Sequence, residues 1–494
     1  MTAAKADRVV LGLLALGAVL LFSSLNNGYL WQDEAETALV ARHTLQFGYP
    51  RGTDGRNAID ISPFGYGPGE SWIYNPWLTF YLLAGVFAAL GQSTWSARLL
   101  FAFAGLINLF LSWRLACRMT DNRLMQRLSV ALLACSVPFL LHMRQCRYYA
   151  TTTMFFLAVC LAYLTWMRRP DRRRTVTLGA MLVALFHTNF GTFAPAFAAV
   201  LGHQFVWGSR ASRRRLWLMA AAVLLLTAPW ALWFYRSAFV GAPSLGRLED
   251  HFEYYIRVTN KYLLPLAAIL GTTLVWRLLR RKPPIKGRPR PDVLFLIIAA
   301  SAQLLFLLVP DQRHLRYLMP TLPLLAIGEA AWLSVWWQRQ RLAGAALTGL
   351  ALFTNLLQSA HWKVPLADFA YELTHAYRGP MEGVVEYVNA HGRPGQTAKI
   401  PYDDRTLMFY TRLTVEPPAT FAQETYPDWI ILRRDWMPEG FFESGYFRRI
   451  QSRYERIELS APDILWQNRE DPGTHHFRTV QDAPPVVIYR KKPG

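Results

Sequence analysis

The sequence predicts a polytopic α-helical membrane protein that carries an α/β domain outside the membrane. Three observations favour this fold class: long apolar runs, arginine clusters that recur between them, and a C-terminal region of different character. The 494-residue chain is 52% hydrophobic, which is too apolar for an ordinary soluble protein. Its charged fraction of 17% is too high for a chain that lies wholly in lipid. A membrane protein with a sizeable aqueous part fits both values.

The formal net charge of +20 raises the question of a nucleic-acid partner. The basic residues do not form one patch but occur in short clusters between apolar runs. This pattern is typical of cytoplasmic loops in membrane proteins. We therefore expect membrane lipids and not nucleic acid as surroundings.

Eleven apolar runs are predicted to cross the membrane, with the N-terminus inside and the C-terminus outside. The arginine clusters all face the cytoplasm only if a further run, 76–90, lies flat on the outer surface as an interfacial helix. The first run follows Lys5 and Arg8 and lacks a clear cleavage site, which predicts an uncleaved anchor. The predicted spans are 9–25, 97–116, 128–142, 150–167, 175–188, 190–207, 215–235, 262–280, 292–310, 316–336 and 342–359.

Two domains follow from this pattern. Residues 1–360 form the predicted transmembrane domain, whose first outer loop, 26–95, is long enough to indicate a functional role. A second outer excursion covers 237–261. Residues 361–494 are predicted to form an outer α/β domain, because short helix and strand patterns replace the long apolar runs. The patterns are a helix at 381–390 and strands at 397–402, 429–432 and 486–489.

An acidic cluster follows the first predicted span. It contains Asp33, Glu34 and Glu36, at a point where charge next to the hydrocarbon is costly and is usually kept for chemistry or pairing. One interpretation is a helix start, with Asp33 as the N-cap and Glu36 three residues later. The other is a general base among these carboxylates, with Asp33 and Glu34 as catalytic candidates, whose basicity is raised by partial desolvation.

Arginine clusters also lie on the predicted outer face, where the positive-inside trend disfavours them. Arg144, Arg147 and Tyr148 form one cluster, and Arg316 with Tyr317 lies in another. They could contact lipid headgroups within an aromatic belt. Alternatively, they could bind a phosphate, for which the guanidinium group is well suited. Weaker candidates for acceptor or sugar binding are Tyr66, His187, Asn189 and His251.

Several short motifs together resemble one family. They are Asp33-Glu34, Gly48-Tyr49-Pro50, Asn75-Pro76-Trp77-Leu78, Arg98-Leu99, Arg144/Arg147/Tyr148, Arg316-Tyr317 with Pro320 and Pro323, Pro427-Asp428-Trp429, His475-His476-Phe477 and Val487-Ile488-Tyr489-Arg490. This set resembles the GT-C integral-membrane glycosyltransferases, and within them the branch of protein O-mannosyltransferases and aminoarabinose transferases. The likeness extends over nearly the whole chain.

The resemblance implies a function and a site. The expected activity is inverting transfer of a sugar from a polyprenyl-phosphate carrier to a hydroxyl of a protein, lipid or glycan, at the outer face of a bacterial plasma membrane. Asp33 occupies the place of the family's catalytic aspartate. The residues at the places that hold the donor's lipid phosphate are Arg144, Arg147, Tyr148, Arg316 and Tyr317.

The sequence departs from the family pattern at two points. The aminoarabinose transferases have a Glu-Lys pair where this chain has Tyr74 and Asn75, and no aspartate closely follows Arg147. These differences leave aminoarabinose specificity and dependence on a divalent metal open. A lipid phosphate as leaving group requires no diphosphate-binding metal, so no cofactor is required in principle, although a divalent metal is not excluded.

Two other classes of protein compete with the enzyme. A transporter or flippase of a lipid-linked sugar intermediate would also use arginine and aspartate in the membrane. We find no inverted repeat, which disfavours this alternative. A non-catalytic scaffold that displays the C-terminal domain would leave the long first outer loop unexplained.

Overall fold

A computed structural model describes residues 7–59, 66–234, 244–280, 290–359, 361–421, 423–465, 469 and 471–493. The chain forms two compact units. The helical unit comprises Met1–Ser23, Phe101–Arg144 and Tyr148–Asp368. The mixed unit comprises Ser24–Leu100, Gln145–Arg147 and Phe369–Gly494. Some sequence predictions fall outside the described residues: those on Lys5, on 60–65 of the first outer loop, on 237–243 of the second excursion, and on the basic residues of 281–289.

The described helices, in chain order, are α1 (Arg8–Phe22), α2 (Gln32–Phe47), α3 (Leu78–Leu90), α4 (Thr94–Met119), α5 (Arg123–Ala134), α6 (Val137–Arg144), α7 (Tyr149–Arg168), α8 (Arg172–Thr188), α9 (Phe190–Trp207), α10 (Arg210–Phe234), α11 (Leu245–Val258), α12 (Leu266–Arg280), α13 (Pro291–Phe306), α14 (Leu322–Arg339), α15 (Arg341–Phe353), α16 (Pro365–Thr374), α17 (Pro380–His391), α18 (Asp404–Tyr410) and α19 (Gly445–Arg453). The strands are β1 (Thr397–Lys399), β2 (Thr414–Glu416), β3 (Trp429–Leu432), β4 (Tyr454–Pro462) and β5 (Pro485–Lys491). A π-helical turn covers Thr259–Leu263, and short 3₁₀ turns cover Pro68–Glu70, Leu315–Leu318, Pro418–Thr420 and Arg434–Trp436.

Each predicted span contains a helix, which confirms a mostly helical chain with several apolar spans. Among the described residues, three helices are long and apolar enough to cross a membrane: Thr94–Met119, Tyr149–Arg168 and Ser212–Trp233. The number rises to five if two bent pairs each count as one span. These pairs are Arg123–Ala134 with Val137–Arg144, bent by 62°, and Leu245–Leu263 with Leu266–Val275, bent by 85°. The count of eleven spans therefore stays a prediction.

The helical unit has a core built largely from aromatic and branched side chains. Phe156, Tyr163 and Trp166 of α7 are fully buried and share one cluster with α8, α9 and α13. Charged pairs hold some of the arginines between the spans: Arg127 lies 3.0 Å from Asp7, and Arg168 lies 2.9 Å from Asp292.

The mixed unit contains a five-stranded sheet with strand order β2-β1-β3-β5-β4. The first three strands are parallel, whereas β5 runs antiparallel to both β3 and β4. The residues of β3 read Trp-Ile-Ile-Leu and are all buried, as expected for a central strand covered on both faces. The predicted helix 381–390 and all three predicted strands correspond to α17, β1, β3 and β5. The structure thus confirms the α/β character of the C-terminal region.

The first outer loop belongs to the same compact unit as the C-terminal sheet. Sequence reasoning grouped this loop with the transmembrane domain, so the predicted border at residue 360 and the compact units divide the chain differently. Within the mixed unit, α2 packs on α3 and on α18. Helix α3 corresponds to the predicted interfacial helix and has 13 residues. At 1.5 Å per residue it is about 20 Å long, which is shorter than the ~30 Å hydrocarbon layer.

Candidate active site

The acidic cluster lies in the first turn of α2. Trp31 is the N-cap, with extended backbone angles (φ −74°, ψ 170°), and the Trp31 N–H donates to a Glu34 carboxylate oxygen at 3.4 Å. The helix therefore begins before Asp33, and the interpretation of Asp33 as the N-cap is wrong. Both Asp33 and Glu34 lie in the first turn, where the helix dipole favours negative charge.

Glu34 is sealed inside the mixed unit. Arg98 donates from Nε to one carboxylate oxygen at 2.9 Å and from Nη2 to the other at 2.7 Å. The Cys146 N–H also donates to Glu34 at 2.8 Å, and the Glu34 side chain has no exposed surface. Since this carboxylate contacts no solvent, its position favours a structural role over the catalytic role predicted for it.

Arg98 extends this buried arrangement into the chain that enters α2. Its Nη1 donates to the backbone carbonyl oxygens of Leu25, Asn27 and Gly28, each at 3.0 Å. One guanidinium group thus fixes both the segment before α2 and the first turn of the helix. An arginine whose donors are occupied by such buried partners stabilises the folded structure.

Asp33 has a different environment from its neighbour. Its side chain is 20% exposed, and its Oδ2 lies 3.5 Å from Arg147 Nη2. Arg147 Nη1 also donates to the Asp33 carbonyl at 3.0 Å, to Glu36 Oε1 at 2.9 Å and to Thr37 Oγ1 at 3.1 Å. The structure therefore brings two predicted site residues together, a carboxylate with solvent access and an arginine beside it.

Residues of the C-terminal region complete this cluster. Arg405 Nη1 pairs with the second oxygen of Glu36, and Gln32 Nε2 donates to Asp404 Oδ1 at 2.6 Å. Burial raises the pKa of the Asp404 carboxyl, although Arg405 and Gln32 oppose the shift. Burial alone would lower the pKa of the Arg405 guanidinium, but Glu36 and Asp404 more than offset this effect and raise it.

The remaining candidate phosphate ligands belong to the helical unit. Arg144, at the end of α6, is buried and donates from Nη2 to the Ser23 carbonyl at 2.6 Å. The Tyr148 ring lies 4.7 Å from the Tyr149 ring at the start of α7. Arg316 and Tyr317 lie in the 3₁₀ turn before α14, with the Arg316 guanidinium 5.8 Å from the Tyr317 ring centre.

The segment that carries Arg316 contacts the helix that carries His251. Arg313 Nη1 donates to the Asp250 carbonyl at 3.3 Å and pairs with its carboxylate, and Asp311 pairs with Arg247. His251 itself is buried in α11. The predicted outer excursion 237–261 and the segment that carries Arg316 therefore meet within the helical unit, through their described residues.

The weaker candidates show mainly structural contacts. The Asn189 side chain accepts from the Thr192 N–H and caps α9, and the His187 ring packs edge-on against Trp230 at 5.6 Å. In the mixed unit, the Tyr66 hydroxyl donates to the Gly52 carbonyl at 3.0 Å. A Cβ atom at position 52 would lie 1.8 Å from the Tyr66 ring, so the present position of Tyr66 requires glycine at position 52. Sugar binding by these residues stays a prediction.

Sequence reasoning missed Gln32, Asp404 and Arg405. The only signal was an Asp-Asp-Arg run at 403–405 in a region assigned to another domain. No spacing rule connects residues that are more than 350 positions apart. Among the described residues, no group of three or more histidine, cysteine, aspartate or glutamate side chains could hold a metal ion.

Comparison with known proteins gives a structural answer only. No family model matches the sequence, and no curated protein matches it. Among solved structures, ArnT from Cupriavidus metallidurans bound to undecaprenyl phosphate is 15% identical to this chain and matches it with a TM-score of 0.59. The match covers 100% of both chains. The chain has the GT-C glycosyltransferase fold.

Two other solved structures share this GT-C fold. The oligosaccharyltransferase AglB from Archaeoglobus fulgidus, in complex with an inhibitory peptide and a dolichol-phosphate, is 12% identical with a TM-score of 0.53; the match covers 93% of this chain and 74% of AglB. The mycobacterial arabinofuranosyltransferase AftD is 15% identical with a TM-score of 0.52. The match covers the whole of this chain and 40% of AftD. Identities this low describe the fold and do not extend to substrates.

Proposed function

We propose that this protein is an inverting glycosyltransferase that moves a sugar from a polyprenyl-phosphate carrier to a hydroxyl acceptor at the outer face of the bacterial plasma membrane. The observation that carries the proposal is the contrast within the acidic cluster. Asp33 combines an adjacent arginine with 20% side-chain exposure, whereas Glu34 is sealed. A general base must reach its substrate's proton, and of these two acids Asp33 meets that condition.

Asp33 is the proposed general base. It takes the proton of the acceptor hydroxyl while the acceptor oxygen attacks the anomeric carbon. The bond from that carbon to the phosphate oxygen breaks, its electron pair leaves with the polyprenyl phosphate, and the configuration at the anomeric carbon inverts. The proposed role of Glu34 is to hold the first turn of α2 in place through Arg98.

The arginines are proposed to stabilise the leaving phosphate. Negative charge develops on that phosphate in the transition state, and preorganised cationic donors are suited to stabilise it. Arg147 lies beside Asp33, and Arg144, Tyr148, Arg316 and Tyr317 are the further proposed ligands by their resemblance to the family pattern. A phosphate bound by Arg147 must compete with the present partners of that arginine, which include Asp33, Glu36 and Thr37.

The full-length likeness to ArnT supports this class of donor, since that structure contains undecaprenyl phosphate. The AglB complex contains a dolichol-phosphate, which is a carrier lipid of related chemistry. Neither structural match identifies the sugar or the acceptor of this protein. We propose a hexose or pentose as the transferred group.

Transfer by purified protein tests the proposal against the flippase alternative. The protein is reconstituted in liposomes with a radiolabelled polyprenyl-phosphate sugar and a mixture of envelope acceptors. We expect free polyprenyl phosphate and labelled acceptor to appear together. Movement of the intact labelled lipid between leaflets, without any cleavage, would contradict the enzyme and favour the flippase.

A further inference from the structure

The C-terminal region contributes an arginine to the acidic cluster of the first outer loop. We propose that Arg405 is a positioning residue for the base Asp33 and that it acts through Glu36 and Arg147. This inference rests on the proposed function and adds a requirement to it, because the catalytic turn of α2 is then set by the C-terminal region. The Asp33 carboxylate lies close enough to Arg405 to help raise the pKa of its guanidinium, but the described hydrogen bonds of Arg405 go to Glu36 and Gln32.

A chain of charged side chains connects Asp33 to Arg405 within the mixed unit. Arg147 contacts Asp33 at 3.5 Å and Glu36 Oε1 at 2.9 Å. Arg405 contacts the other oxygen, Glu36 Oε2. Each oxygen of Glu36 is therefore held by a different arginine, and the orientation of Arg147 depends on a carboxylate that Arg405 fixes. Loss of Arg405 would free one oxygen of Glu36 and let Arg147 shift away from Asp33.

A second set of contacts fixes the same turn from the other side of Asp33. Gln32 Nε2 donates to Asp404 Oδ1 at 2.6 Å, and the Arg405 N–H donates to Gln32 Oε1 at 3.4 Å. Thr406 Oγ1 donates to the Leu30 carbonyl at 2.9 Å. Residues 404–406 thus contact the chain before Asp33, at Leu30 and Gln32, and after it, at Glu36. These contacts restrict the movement of the base.

The segment 403–405 is itself fixed by contacts within the C-terminal region. Asp403 has left-handed backbone angles (φ 66°, ψ 22°), which are unfavourable for a non-glycine residue and persist where surrounding contacts enforce them. Arg433 enforces them: it is fully buried, pairs with Asp403, and donates to Asp463 at 2.8 Å. The direction of the chain at 403–405 is therefore determined by the C-terminal fold.

This geometry predicts an effect on rate and not on substrate binding. A displacement of about 1 Å at a catalytic group costs on the order of 10²-fold in rate. Removing Arg405 should lower kcat, while the KM values for donor and acceptor change little, because the proposed role of Arg405 is to position Asp33 and not to bind substrate. A purely structural ion pair would instead change stability and leave kcat of the folded fraction intact.

The experiment measures transfer by purified full-length variants at saturating donor. We expect Arg405→Ala to lower kcat by about 10- to 100-fold with KM within about threefold, and Arg405→Lys to recover to within about threefold of wild type, since a single ionic contact suffices for Glu36. The matched control is Arg449→Ala, because Arg449 pairs with Glu424 on the exposed surface of the same region. Equal kcat values for the Arg405→Ala and Arg449→Ala proteins would overturn the proposal.

A double-mutant cycle tests the proposed route through Glu36. If Arg405 acts through that carboxylate, Arg405→Ala combined with Glu36→Gln lowers kcat no further than the more damaging single change. Additive losses would show that Arg405 acts elsewhere and would overturn the route. If the alanine variant does not fold, Arg405→Gln replaces it, with the same expected loss of kcat.

Hydrogen exchange separates failure of this inference from failure of the proposed function. If wild-type protein transfers no sugar, the proposed function fails, and amide exchange over residues 32–37 still tests the positioning. Arg405→Ala is then expected to raise exchange in that turn without changing exchange in β3 and β5, whereas Arg449→Ala changes neither. Unchanged exchange over residues 32–37 would overturn the positioning role.

Discussion

Asp33 and Glu34 are adjacent in sequence, yet they lie in opposite surroundings. Successive helical residues point about 100° apart, so one turn of α2 directs these carboxylates to different sides. Glu34 meets Arg98 in a buried pair with side chains 0% and 5% exposed. Asp33 meets Arg147 at 3.5 Å and retains 20% exposure.

The comparison separates a carboxylate that folds the protein from one that is available for chemistry. A buried ion pair is strongly destabilising to break, because removal of one partner leaves an uncompensated buried charge, so such a pair acts mainly in structure. A pair with solvent access and a longer distance can exchange its partner for a substrate. Substitutions at each acid and at its arginine partner test this division.

The largest effect on stability is expected from breaking the sealed pair. Arg98→Ala leaves Glu34 buried without a countercharge, which typically costs about 3–5 kcal/mol in the free energy of unfolding. It also removes donors from four backbone carbonyls before α2. Thermal unfolding of the purified variant measures the loss. A variant as stable as wild type would show that the pair does not hold the turn.

An intermediate effect is expected at the proposed phosphate ligands. Charge-assisted hydrogen bonds contribute about 1.5–3 kcal/mol each, so alanine at Arg144, Arg147 or Arg316 should weaken donor use by about 10- to 100-fold. Lysine should substitute poorly because it lacks the planar fork. The Arg147 variants should also lower kcat, since Arg147 contacts Asp33. Rates against donor concentration test this, and six variants within twofold of wild type would contradict a phosphate site at these arginines.

Some features of the fold could be predicted from the sequence and others could not. Apolar length and arginine periodicity are local properties, so the helical character and the region of each predicted span were accessible. Hydrophobic strand patterns likewise located β1, β3 and β5. The number of membrane crossings was not accessible, because helices such as α5 and α6 bend by 62° within one apolar run.

The candidate site was only partly predictable. A cluster of acids after an apolar run pointed to Asp33, but it did not distinguish Asp33 from Glu34. That distinction depends on Arg98 and Cys146, which reach Glu34 only in the folded chain. The contribution of Asp404 and Arg405 depends on a contact across more than 350 residues, for which sequence patterns give no signal.

The smallest effect concerns the pH dependence at Asp404. Burial raises the pKa of this carboxyl in the folded protein, so its ionisation opposes folding above the raised pKa and ceases to do so below the ordinary value near 3.8. Asp404→Asn retains an acceptor for Gln32 and removes the free-energy cost of burying an ionised carboxylate. We expect the Tm to rise by about 1–2 °C at pH 7.5, with the gain shrinking as the pH falls toward 4. A gain that grows toward acid pH would contradict this sign.

The most direct test of the division between the two acids compares Asp33→Asn and Glu34→Gln in one set of preparations, with kcat and Tm measured for each. The Asp33→Asn protein is expected to keep its Tm within about 2 °C of wild type and to lose about 10²-fold or more of its transfer rate, since the amide cannot accept a proton. The Glu34→Gln protein is expected to unfold at a clearly lower temperature while its folded fraction keeps most of its transfer rate. The reverse pattern, a Glu34→Gln protein that is stable but inactive beside an active Asp33→Asn protein, would contradict the assignment of Asp33 as the base.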